Sequence, residues 1–367
     1  MDVSGGDFTA AQLISAGSDY NYVFTGAQLN NKLLSLGLSP NEESSVDIRV
    51  KTTLSTFQEM ISESVTLVVT PYSSILDLST NLGVVGSATA GGWGNENIPD
   101  LPFYTTATAD EYVAYVTLGD GEIKFRKDNL WTENFGDSGA DGTLEANGDN
   151  IAVSAGTYKI MVNMANMTYT IEPYMWGLVG SATPSGWGAP DVMLHYNPFA
   201  DDWRTVITLA DGEAKFRFNE DWAINYGDTG ADGSLETGGD NIAVSAGHYL
   251  VIFNPNTLEY SLEEMDVWGL VGSATANGWD GPNQKFIPDF GINEGYYYIN
   301  GAVLNDGEIK VRQNDAWALN YGSSSYNAGS TTNDMDVNGS NIPVTAGTYN
   351  IILDFSGSTP KITMYPW

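Results

Sequence analysis

Three copies of one block pattern run through most of the chain, and no other feature constrains the fold as tightly. "VVGSATAGGWG" at 84–94, "LVGSATPSGWG" at 178–188 and "LVGSATANGWD" at 270–280 are variants of a first block. "GDGEIKFRKDNLWTENFG" at 119–136, "ADGEAKFRFNEDWAINYG" at 210–227 and "NDGEIKVRQNDAWALNYG" at 305–322 are a second. "NIAVSAGTY", "NIAVSAGHY" and "NIPVTAGTY", starting at Asn150, Asn241 and Asn341, are a third. The period is 94 residues from Gly86 to Gly180 and 92 from Gly180 to Gly272. That is too long for a solenoid unit and suits a whole small sandwich domain. The repeat predicts three tandem modules at 79–173, 174–265 and 266–367, preceded by an unrelated segment, 1–78.

Inside the repeats the signals are those of strands. "EYVAYVTL", "DWRTVITL" and "YYYINGAVL" are rich in aromatic and β-branched residues, and "GTYKIMVNMANMTYTIEPY" reads as a hairpin turning near Ala165–Met167. Short strands between Gly, Asp and Asn turns predict an all-β chain of antiparallel sandwiches. In the first 78 residues, "SSVDIRVKTTL" and "SESVTLVVTPY" alternate as strands, the latter stopped at Pro71. "FTGAQLNNKLLSLGL" reads as a short helix ending at Gly37. This segment is predicted to be a small immunoglobulin-like domain, with 73–81 as its hinge to the first module.

The formal net charge of −32 argues against nucleic acid and against electrostatic docking on anionic lipid, since both need a basic surface. No cysteine is present, which excludes disulfides, thiolate catalysis and Cys-based zinc sites. His195 and His248 are unrepeated, which disfavours a two-His metal site or a Ser-His-Asp triad shared by the modules. No metal or other cofactor is expected. No run of 18 apolar residues spans a membrane as a helix, and no signal peptide is visible at Met1, so the chain is read as a mature or trimmed form.

Six of the 14 basic residues fall in one Glu-x-Lys-x-Arg strand repeated three times. Strand alternation puts Glu122, Lys124 and Arg126 on one face and Ile123 and Phe125 on the other. Glu213, Lys215 and Arg217 oppose Ala214 and Phe216, and Glu308, Lys310 and Arg312 oppose Ile309 and Val311. The apolar face is core, so the charged face is exposed or paired at a site; the alternative is a surface ladder in which the Glu neutralises the Lys. Trp93, Trp187 and Trp279 stand in Gly/Asn/Ser-rich loops, poor places to bury an indole, and Trp131, Trp222 and Trp317 lie just past the basic strand. Trp203 is assigned to packing, and Trp176 and Trp268 to the core or an interdomain position. Indoles beside a Lys and an Arg suit an uncharged sugar chain: a pyranose stacks its C–H face on an indole, and its hydroxyls bond to the cations. A neutral polymer also escapes repulsion by this acidic chain.

These residues resemble the SusE/SusF family of starch-binding surface lipoproteins of the Bacteroidetes outer membrane. The carriers are "WGLVGSATPSGWG", "GEAKFRFNEDWAINYGD" and "NIAVSAGHY", present in variant form in each repeat, and the N-terminal "VFTGAQLNNKLLSLGLSPNEESSVDIRVKTTL". The resemblance implies β-sandwich starch-binding modules behind an immunoglobulin-like N-terminal domain, held at the cell surface by a lipid on a cysteine upstream of this chain. It implies non-catalytic polysaccharide-utilisation binding, in which an aromatic arc follows an α-1,4-glucan and basic side chains bond the O2 and O3 hydroxyls. The positions that would carry this are Trp93, Lys124, Arg126 and Trp131, then Trp187, Lys215, Arg217 and Trp222, then Trp279, Lys310, Arg312 and Trp317, with Asn150, Asn241 and Asn341 adding a hydrogen bond. Implied partners are starch or maltooligosaccharides, or another neutral glycan, with an outer-membrane porter and its sugar-binding companion; the chain itself is expected to be a monomer. This chain lacks the lipid-bearing cysteine, and its third module replaces "GDTGADGSLETGGDN" with "GSSSYNAGSTTNDMDVNGSN".

Three rival readings differ in class. A glycoside hydrolase needs a carboxylate pair, for which Glu122, Glu213 and Glu308 are candidates, but three copies of one catalytic domain are unusual. "DSGADGTLE" from Asp137 and "DTGADGSLE" from Asp228 suggest calcium loops, yet Gly148 and Gly239 fall where an EF-hand needs its glutamate, and an Asp-Gly hairpin turn accounts for both. A structural or adhesive surface protein would use the tryptophans for packing.

Overall fold

In the computed structural model the described residues are 1–9, 11–12, 26–55, 58–73, 75–94, 98–290 and 295–366. The chain divides into two compact units, Met1–Leu76 and Asp77–Trp367.

In the first unit Ser44–Ile48 pairs antiparallel with Asp2–Val3 and with Val65–Val69, and Lys51–Ser55 pairs with Gln58–Ile61 as a separate hairpin. "SSVDIRVKTTL" is therefore two strands and not one. The break falls at Arg49–Val50, where Val50 N donates to Ser62 Oγ and Ser62 N to the Val50 carbonyl, turning the chain into the second hairpin. The helix Gly26–Ser35 closes with Leu38 N on the Leu33 carbonyl and Gly37 N on the Leu34 carbonyl. This is the reciprocal pair that a left-handed residue after a helix permits, and Gly37 has φ +81°. Leu33 packs with Met1 and Val46 in the core of this unit, and Leu38 packs against them.

The second unit holds three hydrophobic cores, one per repeat. The middle module is the plainest. One sheet carries Trp176–Val179, Gly212–Phe218, Asp221–Gly227 and the short strands Val192–Met193, Glu236–Thr237 and Ile242–Val244; the other carries His195–Asn197, Asp202–Leu209, Gly247–Asn254 and Glu259–Glu264. Alternation aims Ala214 and Phe216 inward from the first sheet and Val251 and Phe253 from the second, and the rings of Phe216 and Phe253 stack at 4.6 Å. The third module repeats this two-sheet plan. In the first, the strand Ser79–Val85 pairs with both Gly121–Lys127 and Leu101–Thr105, which joins the two sheets into one continuous nine-stranded sheet. Trp176, Trp203 and Trp268 are buried in these cores.

Two glycine positions are dictated by close approach. Gly86, Gly180 and Gly272 have φ of +154°, +151° and +150°, and a Cβ on any of them would lie 2.1 Å from the carbonyl oxygen of Glu122, Glu213 or Glu308. A Cβ on Gly83, Gly177 or Gly269 would lie 2.5 Å from the Cβ of Asp100, Asp191 or Asn283, residues that prove central to the site.

The acidic loops are organised around a carboxylate. Asp137 Oδ1 accepts from the amides of Gly139 and Asp141, and Oδ2 from the amide of Gly142 and the hydroxyl of Tyr169. Asp228 repeats this with Asp232, Gly233 and Tyr260. The third module has Ser323 there, its buried Oγ without a partner, and adds the strand Thr332–Asp334 against Lys361–Pro366. Burial acts to raise the Asp137 pKa, but the amides of Gly142 and Gly139 with the Tyr169 hydroxyl outweigh it and bring the carboxyl down to about 2. A carboxyl held below its unfolded value stabilises the fold fully above that value and loses the contribution as pH falls through the folded one. Thermal melts between pH 5 and about pH 2 should show an acid-labile component that Asp137→Asn removes; identical pH profiles for the two proteins would contradict this.

Candidate functional site

In each module a glycine-rich loop and a strand-following turn bring two indoles together. The loop closes on itself: Gly86 N donates to the Gly92 carbonyl, and Thr89 N and Oγ1 to the Gly86 carbonyl. Gly180/Gly186/Thr183 and Gly272/Gly278/Thr275 do the same. This fixes Trp93, Trp187 and Trp279 at the loop tip. After the basic strand, consecutive residues with positive φ make the turn: Asp128–Asn129, Asn219–Glu220 and Asn314–Asp315. The next indole is then held by its own carbonyl, which accepts from a side-chain amide three residues on: Asn134 for Trp131, Asn225 for Trp222 and Asn320 for Trp317.

The ring centroids are 6.1 Å apart for Trp93–Trp131, 6.0 Å for Trp187–Trp222 and 6.0 Å for Trp279–Trp317, with interplanar angles of 36°, 40° and 40°. These are open, tilted pairs and not closed stacks. Five of the six rings are exposed, at 37–46%, and Trp279 is half-buried.

Of the two arrangements open to the charged face, exposed or paired at a site, the basic residues take the second. Arg126, Arg217 and Arg312 are only 3–4% exposed. Each guanidinium lies over the second indole, 4.7, 4.6 and 4.6 Å from the ring centroids of Trp131, Trp222 and Trp317. Its Nε–Nη2 edge is occupied from behind. Arg126 donates to Asp100 at 2.6 and 2.7 Å, and Arg217 to Asp191 at 2.7 and 2.5 Å, in two-pronged ion pairs. Asp191 raises the Arg217 pKa above its ordinary value, against the opposing effect of burial. Lys124 and Lys215 are also buried, their ammonium groups on the carbonyls of Gly148 and Gly239 at 2.6 Å. Lys310 is half-buried, and burial lowers its pKa.

The side chains of Asn150, Asn241 and Asn341 are engaged on the same strand. Their amides donate to Glu122, Glu213 and Glu308 at 2.9, 2.9 and 2.8 Å. Those glutamates precede the arginine by four residues on the strand, about 13 Å of backbone. The asparagines therefore belong to the far end of the strand and not to the indole pair.

The third site departs from the others at one atom. Asn283 replaces the aspartate, so Arg312 Nε and Nη2 share a single acceptor, Asn283 Oδ1, at 3.2 and 2.8 Å. The amide nitrogen of Asn283 is buried without a partner. Asp100, Asp191 and Asn283, and the indole-holding Asn134, Asn225 and Asn320, were not anticipated. A recurring Pro-Asp/Asn dipeptide at Pro99, Pro190 and Pro282 was the available signal.

The fold and site define a class: tandem β-sandwich modules, each presenting a two-indole platform braced from behind by an arginine. Residues 1–51 match the family model "SusE outer membrane protein" and residues 81–170 match "SusF/SusE starch specific CBMs". In these two segments the chain resembles the SusE/SusF family. Among solved structures it is similar to SusF from Bacteroides thetaiotaomicron, at 17% identity over 92% of this chain and 85% of that chain, with a TM-score of 0.23. No curated protein matches.

The braces predict opposite effects. Asp191→Asn should lower the stability of the middle module by about 1.5–3 kcal/mol, the range for a hydrogen bond to a charged group, whereas Asn283→Asp should raise that of the third. Differential scanning calorimetry of the two variants measures both signs; a stabilising Asp191→Asn would contradict the pairing.

Proposed function

We propose that this protein is a non-catalytic, multivalent binder of starch and maltooligosaccharides, working at the surface of an outer membrane. One observation carries the reading: the same open indole pair, tilted by 36–40° and underlain by an arginine, recurs in all three modules. Two inclined apolar faces match the C–H faces of consecutive sugars in a curved α-glucan better than those of a flat chain. The indoles supply the contact area. The buried arginine sets the pitch of the second ring, and the lysine holds the strand to the loop that ends in Gly148 or Gly239. The guanidinium edge left by the aspartate is the donor available to a sugar hydroxyl.

The described family, starch-specific binding modules, supports the ligand class, and its outer-membrane name supports the location. Non-catalytic action is supported by the state of the acids that brace the platform: Asp100 and Asp191 are committed to arginine, while Glu122, Glu213 and Glu308, the carboxylates of the basic strand, are bonded to asparagine at its far end. Each site is weak alone, and three on one chain raise avidity by roughly 10²–10⁴ when one polymer reaches them all.

Native gels cast with and without starch test the reading. The intact chain should be retarded by starch, and Trp187→Ala/Trp222→Ala should reduce the retardation only in part because two platforms remain. Calorimetry with maltoheptaose should lose one site in that variant. Unaltered mobility of the intact chain in starch would defeat the proposal.

A further inference from the structure

Modules two and three meet across a cleft of about 610 Å³, within the range of small-molecule sites. A hydrogen-bonded clasp spans the junction. Lys285 Nζ donates to both oxygens of Asp315, at 2.6 and 2.5 Å, and Thr208 Oγ1, from the second module, donates to Asp315 Oδ2 at 2.8 Å. Because that hydroxyl proton goes to the carboxylate, the oxygen accepts from His248 Nδ1–H, also at 2.8 Å, which sets the imidazole tautomer. The clasp makes the cleft a formed site and not a slack gap between domains.

The described lining of the cleft is electrically neutral in a chain of net charge −32. Among the described residues, its titratable lining groups are Lys285 and Asp315, which cancel, and the half-buried His195, whose pKa burial lowers to about 4. Ordinary pH therefore leaves His195 uncharged. Among the described lining residues, phosphates and amines find no unpaired counter-charge. Apolar wall is provided by Val192, Val206, Ile287 and Val303, the last 72% exposed, and hydroxyl or amide edges by Thr205 and Gln284. Apolar faces combined with neutral donors and acceptors suit a pyranose. Pro184 at the rim belongs to the loop that carries Trp187, and Ala276 and Asn277 to the loop that carries Trp279, so the cleft borders the loops of two indole pairs.

We propose that this cleft is a fourth saccharide site, built jointly by modules two and three and taking one or two neutral sugar residues. The choice of ligand class rests on the starch-binding reading above. A chain in which Trp93, Trp131, Trp187, Trp222, Trp279 and Trp317 are all replaced by alanine removes the three indole pairs from the surface without entering the cores. Calorimetric titration of that chain with maltotriose should retain weak binding. Adding Val303→Trp, or separately Ala276→Trp, each an exposed lining position, should weaken it by at least roughly tenfold. In the otherwise intact chain, either filling substitution should lower the maltotriose stoichiometry by one. No residual binding in the six-alanine chain, or binding unchanged by both filling substitutions, would overturn the fourth site. Equal binding by the intact and six-alanine chains would instead defeat the indole-pair reading and leave the cleft standing.

Discussion

A buried arginine clamped between an aspartate or asparagine side chain and an indole organises each module. Its charge would be costly in the protein interior without an acid beside it, and Asp100 and Asp191 supply one with both oxygens. With its edge fixed, the flat guanidinium becomes a rigid shelf on which Trp131 or Trp222 lies. The second indole is therefore set by the arginine of the sheet as well as by its own turn. The aspartate can reach the arginine only because Gly83 or Gly177 has no side chain, so the first block of the repeat is tied to the second by sterics as well as by charge.

The third module shows what the clamp tolerates. Asn283 keeps the position and one acceptor, and the indole stays at the same distance and tilt as in the second module. What changes is charge: Arg312 keeps its positive charge uncompensated by that neighbour, and a buried amide nitrogen is left without an acceptor. The same module also loses the carboxylate at the centre of its acidic loop, where Ser323 stands. The three sites thus share one geometry on unequal electrostatic backgrounds. The junctions between modules are unequal too. Tyr115 of the first packs among Tyr174, Tyr196 and Trp203 of the second, an aromatic contact, whereas the second and third are joined by the polar clasp around Asp315.

Much of this was legible in the sequence, and the rest failed for identifiable reasons. Strand alternation put Ile123 and Phe125 inward and Lys124 and Arg126 on the other face, as in the structure, because a period of two survives any tertiary context. Glycine-rich surroundings marked the loop indoles as exposed. The burial of the cations was not legible, since it depends on Asp100 and Asp191, each 26 residues before its arginine and on a different strand or loop. The contact of Asn150 with Glu122 was not legible either, because the two lie 28 residues apart in sequence. The break at Arg49–Val50 was hidden because both halves alternate equally well.

The central claim is that the indole pairs, and not the buried tryptophans, meet the sugar. Indole N–H resonances recorded during titration with maltoheptaose test it most directly. The account predicts that the signals of Trp93, Trp131, Trp187, Trp222, Trp279 and Trp317 move together with added ligand while those of Trp176, Trp203 and Trp268 stay fixed. Stationary signals from the exposed pairs, with the chain demonstrably holding the sugar, would contradict it.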